Sequence, residues 1–127
     1  MAVELAGNLI YQDGKLLLLY REDEGHWEIP GGKVKEGESP TEAAVREAEE
    51  EIGVTVSLDK PFFSGEFMHY DHMYLWHGYL TSIETGEPEL REEKFSKMEW
   101  FEGSELDDLE LAPNLRQILP ALRKASI

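Results

Sequence analysis

The chain has 127 residues, 41% of them hydrophobic, enough for one domain with a real core and too few for two. Twelve lysines and arginines stand against 27 aspartates and glutamates, a formal net charge of −15. That balance argues against sequence-independent binding to DNA, RNA or an anionic membrane, which depends on cationic patches, but leaves room for a small phosphorylated ligand if divalent cations stand between the two anions.

The N-terminal run MAVELAGNLIYQ has no basic segment followed by an apolar one, so no secretory signal is read there. No apolar stretch approaches the ~18 residues of a membrane span. The chain contains no cysteine, which fits a reducing compartment, and the expected location is the cytoplasm. Val3–Gln12 and Lys15–Arg21 read as strands joined by the hairpin signal Asp13-Gly14. A turn-rich stretch, EGHWEIPGGKVKEG, follows. Ser39-Pro40-Thr41-Glu42 then marks a helix start: a serine cap, a proline at the first helical position and a glutamate closing a capping box. The helix is expected to reach Ile52 and stop at Gly53. Short strands are expected at Val54–Leu58, Phe62–Phe67, Met73–Ile83 and Lys97–Phe101, with a charged loop, ETGEPELREEK, at Glu84–Lys94. A last helix from about Pro113 to Lys124 contains Pro120, which is expected to kink or divide it. The whole is read as one mixed α+β domain spanning residues 1–127.

One segment of the first helix goes against helix chemistry. In REAEEEIGV, Arg46 to Val54, four of five consecutive positions are glutamate, and like charges three and four apart repel by roughly 0.2–0.5 kcal/mol per pair. At 100° per residue, Thr41, Ala44, Val45, Ala48 and Ile52 share an apolar stripe suited to lying on a sheet. Glu47, Glu50 and Glu51 fall on another side, within about a third of the circumference, while Glu49 points away. An acidic helix face is ordinarily just solvated. Clustered carboxylates are also what a hard divalent cation wants, and magnesium in particular works beside substrate phosphates.

The neighbouring residues decide between these readings. GKVKEGESPTEAAVREAEEEIGV, Gly32 to Val54, sets a glycine, a glutamate five residues on, Arg-Glu after seven more, then an aliphatic position, Glu-Glu, glycine and an aliphatic residue. This resembles the 23-residue signature of the Nudix hydrolases at every fixed position, with Ala48 smaller than the usual aliphatic. The resemblance implies an α/β/α sandwich, a mixed sheet flanked by helices with a loop–helix–loop site that cleaves a nucleoside diphosphate linked to a moiety X. It implies magnesium, with manganese as a substitute. It makes Glu47, Glu50 and Glu51 metal ligands, one or more of them activating water, and adds the backbone carbonyl of Gly31. Glu38 and Arg46 resemble the family's charged pair, with a purely orienting role favoured. Metals would neutralise the pyrophosphate, polarise its oxygens and lower the pKa of a bound water.

Substrate choice is carried by less specific features. FSGEFMHYDHMYLWHGYL, Phe63 to Leu80, is similar in spacing to the MutT-like subgroup, which takes nucleoside triphosphates, including oxidised guanine nucleotides, to monophosphate and pyrophosphate. LAPNLRQILPAL, Leu111 to Leu122, resembles that subgroup's last helix, with Asn114 as a base-reading amide or simply a helix-start residue. Arg21 and Lys33 are candidates for phosphate contacts or solvated surface charges. Glu93, ahead of Glu92, is the candidate for a further metal ligand from the charged loop. Tyr70 and Tyr74 keep a diadenosine tetraphosphate hydrolase open; the ADP-ribose reading lacks its proline past the motif. A non-catalytic nucleotide-sensing domain is the alternative of a different class. His69, Asp71, His72 and His77 match no zinc spacing, and Trp27 either stacks on a base or packs a loop. The expected partner is a small nucleotide, acted on by a monomer or homodimer.

Overall fold

The computed structural model describes residues 2–125. Strands β1 (Val3–Gln12) and β2 (Lys15–Arg21) turn at Asp13-Gly14, and two three-residue strands follow, β3 (His26–Glu28) and β4 (Gly31–Lys33). Helix α1 (Pro40–Ile52) leads to β5 (Thr55–His69), β6 (His72–Thr85) and β7 (Phe95–Glu102). A 3-10 helix (Gly103–Asp108) and the short helices α2 (Pro113–Gln117) and α3 (Leu119–Ala125) complete the order.

β1 is the axis of the sheet. Along one edge it pairs in parallel with β6 from Val3 to Ile10. Its other edge is shared: β4 takes Leu5–Gly7 and β2 takes Tyr11 and Gln12, both antiparallel. β2 in turn holds β3 and β7, and β5 closes the far side against β6. Alternation along the strands then distributes the core. Leu9, Leu16 and Leu18 pack with Trp76, Phe101, Leu115 and Leu122, under α2 and α3. Ile10, Leu17 and Leu19 pack with Ala48, Ile52 and Val54, under α1. The expected mixed sheet between helical layers is what the chain forms. No helix among the described residues is long and apolar enough to cross a membrane.

Local signals set α1 as expected. The Glu42 N–H donates to Ser39 Oγ at 3.2 Å and the Ser39 N–H to Glu42 Oε1 at 2.9 Å, a reciprocal cap of a kind worth about 1 kcal/mol. Gly53 ends the helix at φ 69° and gives its N–H to the Glu49 carbonyl; a side chain there would be strained and would also strike the Arg91 guanidinium. Three small buried residues, Ala43, Ala44 and Ala48, let the helix lie close to the sheet.

Four expectations need correction. Thr41 is exposed, and Ala43 takes its place on the buried stripe. The two strands read at Val54–Leu58 and Phe62–Phe67 are one, because β5 is an edge strand whose register slips at Leu58/Lys60 and Pro61/Phe63 absorb the proline. The turn-rich stretch contains β3 and β4, which are too short to show a period. The last helix breaks at Ile118 rather than Pro120, which sits in the first turn of α3, where its missing N–H costs nothing.

Candidate active site

The motif's charges are organised by one guanidinium. Arg46 Nε and Nη2 hold the two oxygens of Glu38 at 2.8 and 3.0 Å, a forked pair. Its Nη1 donates to Glu47 Oε1 at 2.8 Å and to Glu50 Oε1 at 3.0 Å, and its Nη2 also reaches the Lys33 carbonyl at 2.9 Å. Arg46 therefore ties the loop before α1 to the carboxylates on α1. The Arg46 hydrogen bonds, followed by the Lys35 N–H, hold the Glu38 carboxyl down at about 2.

Glu47 and Glu51 face inward and Glu50 lies at the rim, its side chain 42% exposed. Glu49 is exposed, as expected, while the buried stripe carries Ala43 in place of Thr41. The Glu47 carboxylate lies against Gly32, where a Cβ would come within 2.6 Å of its carboxyl carbon. Glu51 is 0% exposed; its Oε1 accepts the Gly31 N–H at 2.9 Å, and its Oε2 has no hydrogen-bond partner. Burial pushes the Glu51 carboxyl well above the ordinary carboxylate range; Lys94 pulls it back and Glu47 pushes it further up. A buried carboxylate oxygen left without a donor is costly, by roughly 1–3 kcal/mol or more. A hard cation would relieve it, and an all-oxygen donor set is what magnesium takes. The residues fit such an ion. Even so, no three acidic or imidazole side chains among the described residues already converge on one point. Arg46 draws Glu47 and Glu50 together, while Lys94 Nζ stands 3.4 Å from Glu51 Oε2.

From this cluster a cleft of about 470 Å3 opens across the sheet. Gly31, Gly32, Lys33, Glu47 and Lys94 line it, as do Phe67, Tyr74, Trp76 and Asn114. Phe67 and Tyr74, paired across β5 and β6, stack with ring centres 5.2 Å apart. Asn114 lies in the first turn of α2. Trp27 brings that helix to the cleft: its N–H donates to the Glu110 carbonyl, and its own carbonyl accepts from Ala112. The Trp27 ring is buried edge-on against Tyr20 and Phe101, so it serves the core.

Other expected residues stand differently. Arg21 lines the cleft, but its guanidinium forks onto Asp23 at 2.6 and 3.0 Å, which offsets its charge. Tyr70 is 74% exposed at the tip of the β5–β6 turn and lies outside the cleft. Glu93 is exposed and stands outside the cluster; the loop instead turns Glu92 inward, its Oε1 buried and 3.5 Å from Lys94. The reason is a tether: the Arg91 N–H donates to the Glu51 carbonyl at 2.9 Å, which fixes which of the adjacent carboxylates faces α1. His69 pairs with Glu24 and His77 with Glu4, so the histidines do not gather.

Two contributors escaped the sequence reading. Lys94 is one, hidden in a charge run. Asn8 is the other, and its signal was a polar residue inside the apolar run of β1. Buried completely, it donates to the Pro30 and Ala44 carbonyls at 3.2 and 2.9 Å and accepts from Thr81. It thereby fixes the segment before Gly31 against α1.

Comparisons with known proteins agree with this geometry. The NUDIX domain matches residues 4–122. The CTP pyrophosphohydrolase of Escherichia coli (strain K12) is 34% identical over 85 residues, 59% of this chain and 61% of that protein. The 8-oxo-dGTP diphosphatase of the same strain is 42% identical over 62 residues, 48% of this chain and 47% of that protein. The chain thus spans about half to three fifths of the length of these two relatives. The crystal structure of a MutT NUDIX hydrolase from Burkholderia pseudomallei superposes with a TM-score of 0.85 at 29% identity, covering 94% of this chain and 97% of that one. With the NUDIX domain matching residues 4–122 and the fold of a MutT NUDIX hydrolase reproduced, the chain belongs to the Nudix family.

Proposed function

We propose that the protein is a magnesium-dependent pyrophosphohydrolase that takes nucleoside triphosphates, oxidised guanine nucleotides among them, to monophosphate and pyrophosphate. The observation that carries this reading is one cleft whose lining includes Glu47 of the carboxylate cluster together with Asn114 and the Phe67–Tyr74 pair. A nucleotide bound there would meet Gly31, Lys33 and Glu47 as well as Asn114. The nucleotide activities named for the two Escherichia coli relatives support the same substrate class.

Glu47, Glu50 and Glu51 would hold the metal, with Glu92 in the place expected of Glu93 and the Gly31 carbonyl beside them. Bound there, the metal supplies charge neutralisation and an activated water. The chain's own residues do the rest. Arg46 keeps Glu47 and Glu50 on one side and carries the strain of their like charge. Lys33, on the cleft wall, would meet phosphate oxygens; Arg21 would do so only by leaving Asp23. Asn114 offers a donor and an acceptor to a purine edge, and the paired rings of Phe67 and Tyr74 offer a stacking face. Of the two tyrosines that keep a diadenosine tetraphosphate reading open, Tyr70 is at an exposed turn and Tyr74 lines the cleft, so that reading would rest on Tyr74.

The test is a side-by-side panel in magnesium: 8-oxo-dGTP, dGTP, CTP, diadenosine tetraphosphate and ADP-ribose. A nucleoside triphosphate is expected to give the highest kcat/KM, released as monophosphate and pyrophosphate. A hundredfold preference for the dinucleotide would overturn the substrate reading and leave the family membership intact.

A further inference from the structure

We infer that Lys94 is a built-in counter-cation of the carboxylate cluster, one that holds the metal-free site together and must be displaced when a divalent ion binds. The inference rests on the metal-ligand reading above.

Lys94 Nζ stands 3.4 Å from Glu51 Oε2 and 3.5 Å from Glu92 Oε1. Those two oxygens are the buried side-chain atoms that lack a hydrogen-bond partner among the described residues. One ammonium thus serves both orphaned oxygens, at a distance that provides charge without directed hydrogen bonds. The place is built, because the Glu89 and Arg91 N–H groups donate to the Ile52 and Glu51 carbonyls and fasten the loop to the end of α1. Lys94 itself is 40% exposed and on the cleft wall, so it has an open path away from the carboxylates. A divalent ion facing Glu51 Oε2 repels the ammonium with twice the charge product that holds the ammonium to that one carboxylate, so at similar distances the lysine is the group that is driven off. Binding of the ion and departure of Lys94 are therefore coupled, and the lysine lowers metal affinity while it stabilises the empty cluster.

The coupling predicts effects of opposite sign from one substitution. In Lys94→Gln, magnesium chloride alone, titrated calorimetrically without nucleotide, should bind about tenfold more tightly than to wild type, as expected when about 1.4 kcal/mol of competing interaction is removed. In excess chelator the same variant should melt several degrees lower, because Glu51 and Glu92 lose their counter-charge. Lys94→Arg keeps the charge and should stay near wild type in both measurements. Lys94→Gln affinity equal to or weaker than wild type, in a protein that still folds, would overturn the inference. An unchanged melting temperature in chelator, or Lys94→Arg behaving like Lys94→Gln, would do the same. If neither protein binds magnesium while wild type folds normally, the metal-ligand reading falls and takes the inference with it. Tight binding to wild type with no gain in the variant removes only the role of Lys94.

Discussion

Arg46→Ala is the perturbation whose size follows most directly from the structure. The guanidinium donates to Glu38, Glu47 and Glu50 and to one main-chain carbonyl, and its side chain is only 21% exposed. The Glu50 contact is at the surface and contributes little, on the order of 0.3–0.5 kcal/mol. The inward contact to Glu47 is charge-assisted and better shielded, roughly 1–2 kcal/mol after allowance for solvent, and the forked bond to Glu38 and the contact to the Lys33 carbonyl add to it. Truncation should therefore cost about 2–4 kcal/mol, and for a domain of this size each kcal/mol lowers the melting temperature by roughly 3–5 °C. A thermal melt in excess chelator should show a fall of about 8–15 °C. With magnesium present, kcat should drop by about 10- to 100-fold, the usual consequence of losing a group that orients metal ligands. Arg46→Lys restores the charge but cannot reproduce the fork, so it should recover less than half of either loss. A melting temperature for Arg46→Ala within 2 °C of wild type, or full kcat in Arg46→Lys, would refute the view of Arg46 as organiser.

Glu51→Gln and Glu50→Gln should each lower kcat by at least a hundredfold without unfolding the protein, whereas Glu49→Gln, on the exposed side of α1, should change it less than twofold; equal sensitivity at Glu49 in steady-state kinetics would contradict the helical phase. Gly32→Ala sets a methyl 2.6 Å from the Glu47 carboxyl carbon and should abolish most activity while costing little melting temperature, a contrast read from the two assays on one preparation. Glu38, held at about 2 by Arg46, lends stability that is fully present above the ordinary carboxylate value of 4.5 and lost as pH falls toward 2. In Glu38→Gln the decline of melting temperature over that interval should be shallower than in wild type, and an unchanged slope would show that the pair does not hold in solution.

What the sequence made legible was local. The cap at Ser39 and the stop at Gly53 each depend on residues within one or two turns and appear as read, whereas the buried stripe of the same helix gains Ala43 and loses Thr41. Pairings between distant segments were less readable. β3 and β4 hold only three residues each and exist because β2 and β1 offer them partners. The proline in β5 looked like a break because nothing local reveals that the strand is an edge. In the site, the motif positions were readable because their spacing is fixed by one helix. The inward turn of Glu92 in place of Glu93 depends on a main-chain bond between Arg91 and Glu51, forty residues apart in sequence. Tyr70 lies next to cleft residues in the chain, yet it occupies a tight turn at φ 50° and leaves the cleft to His69 and Tyr74.

The most direct test of the account is product analysis of 8-oxo-dGTP and dGTP turnover by wild-type protein and Glu51→Gln, with magnesium and with excess chelator. Monophosphate and pyrophosphate should form in equal amounts with wild-type protein in magnesium, and turnover should collapse in chelator and in the variant. Orthophosphate as the first product, or undiminished turnover in chelator, would contradict it.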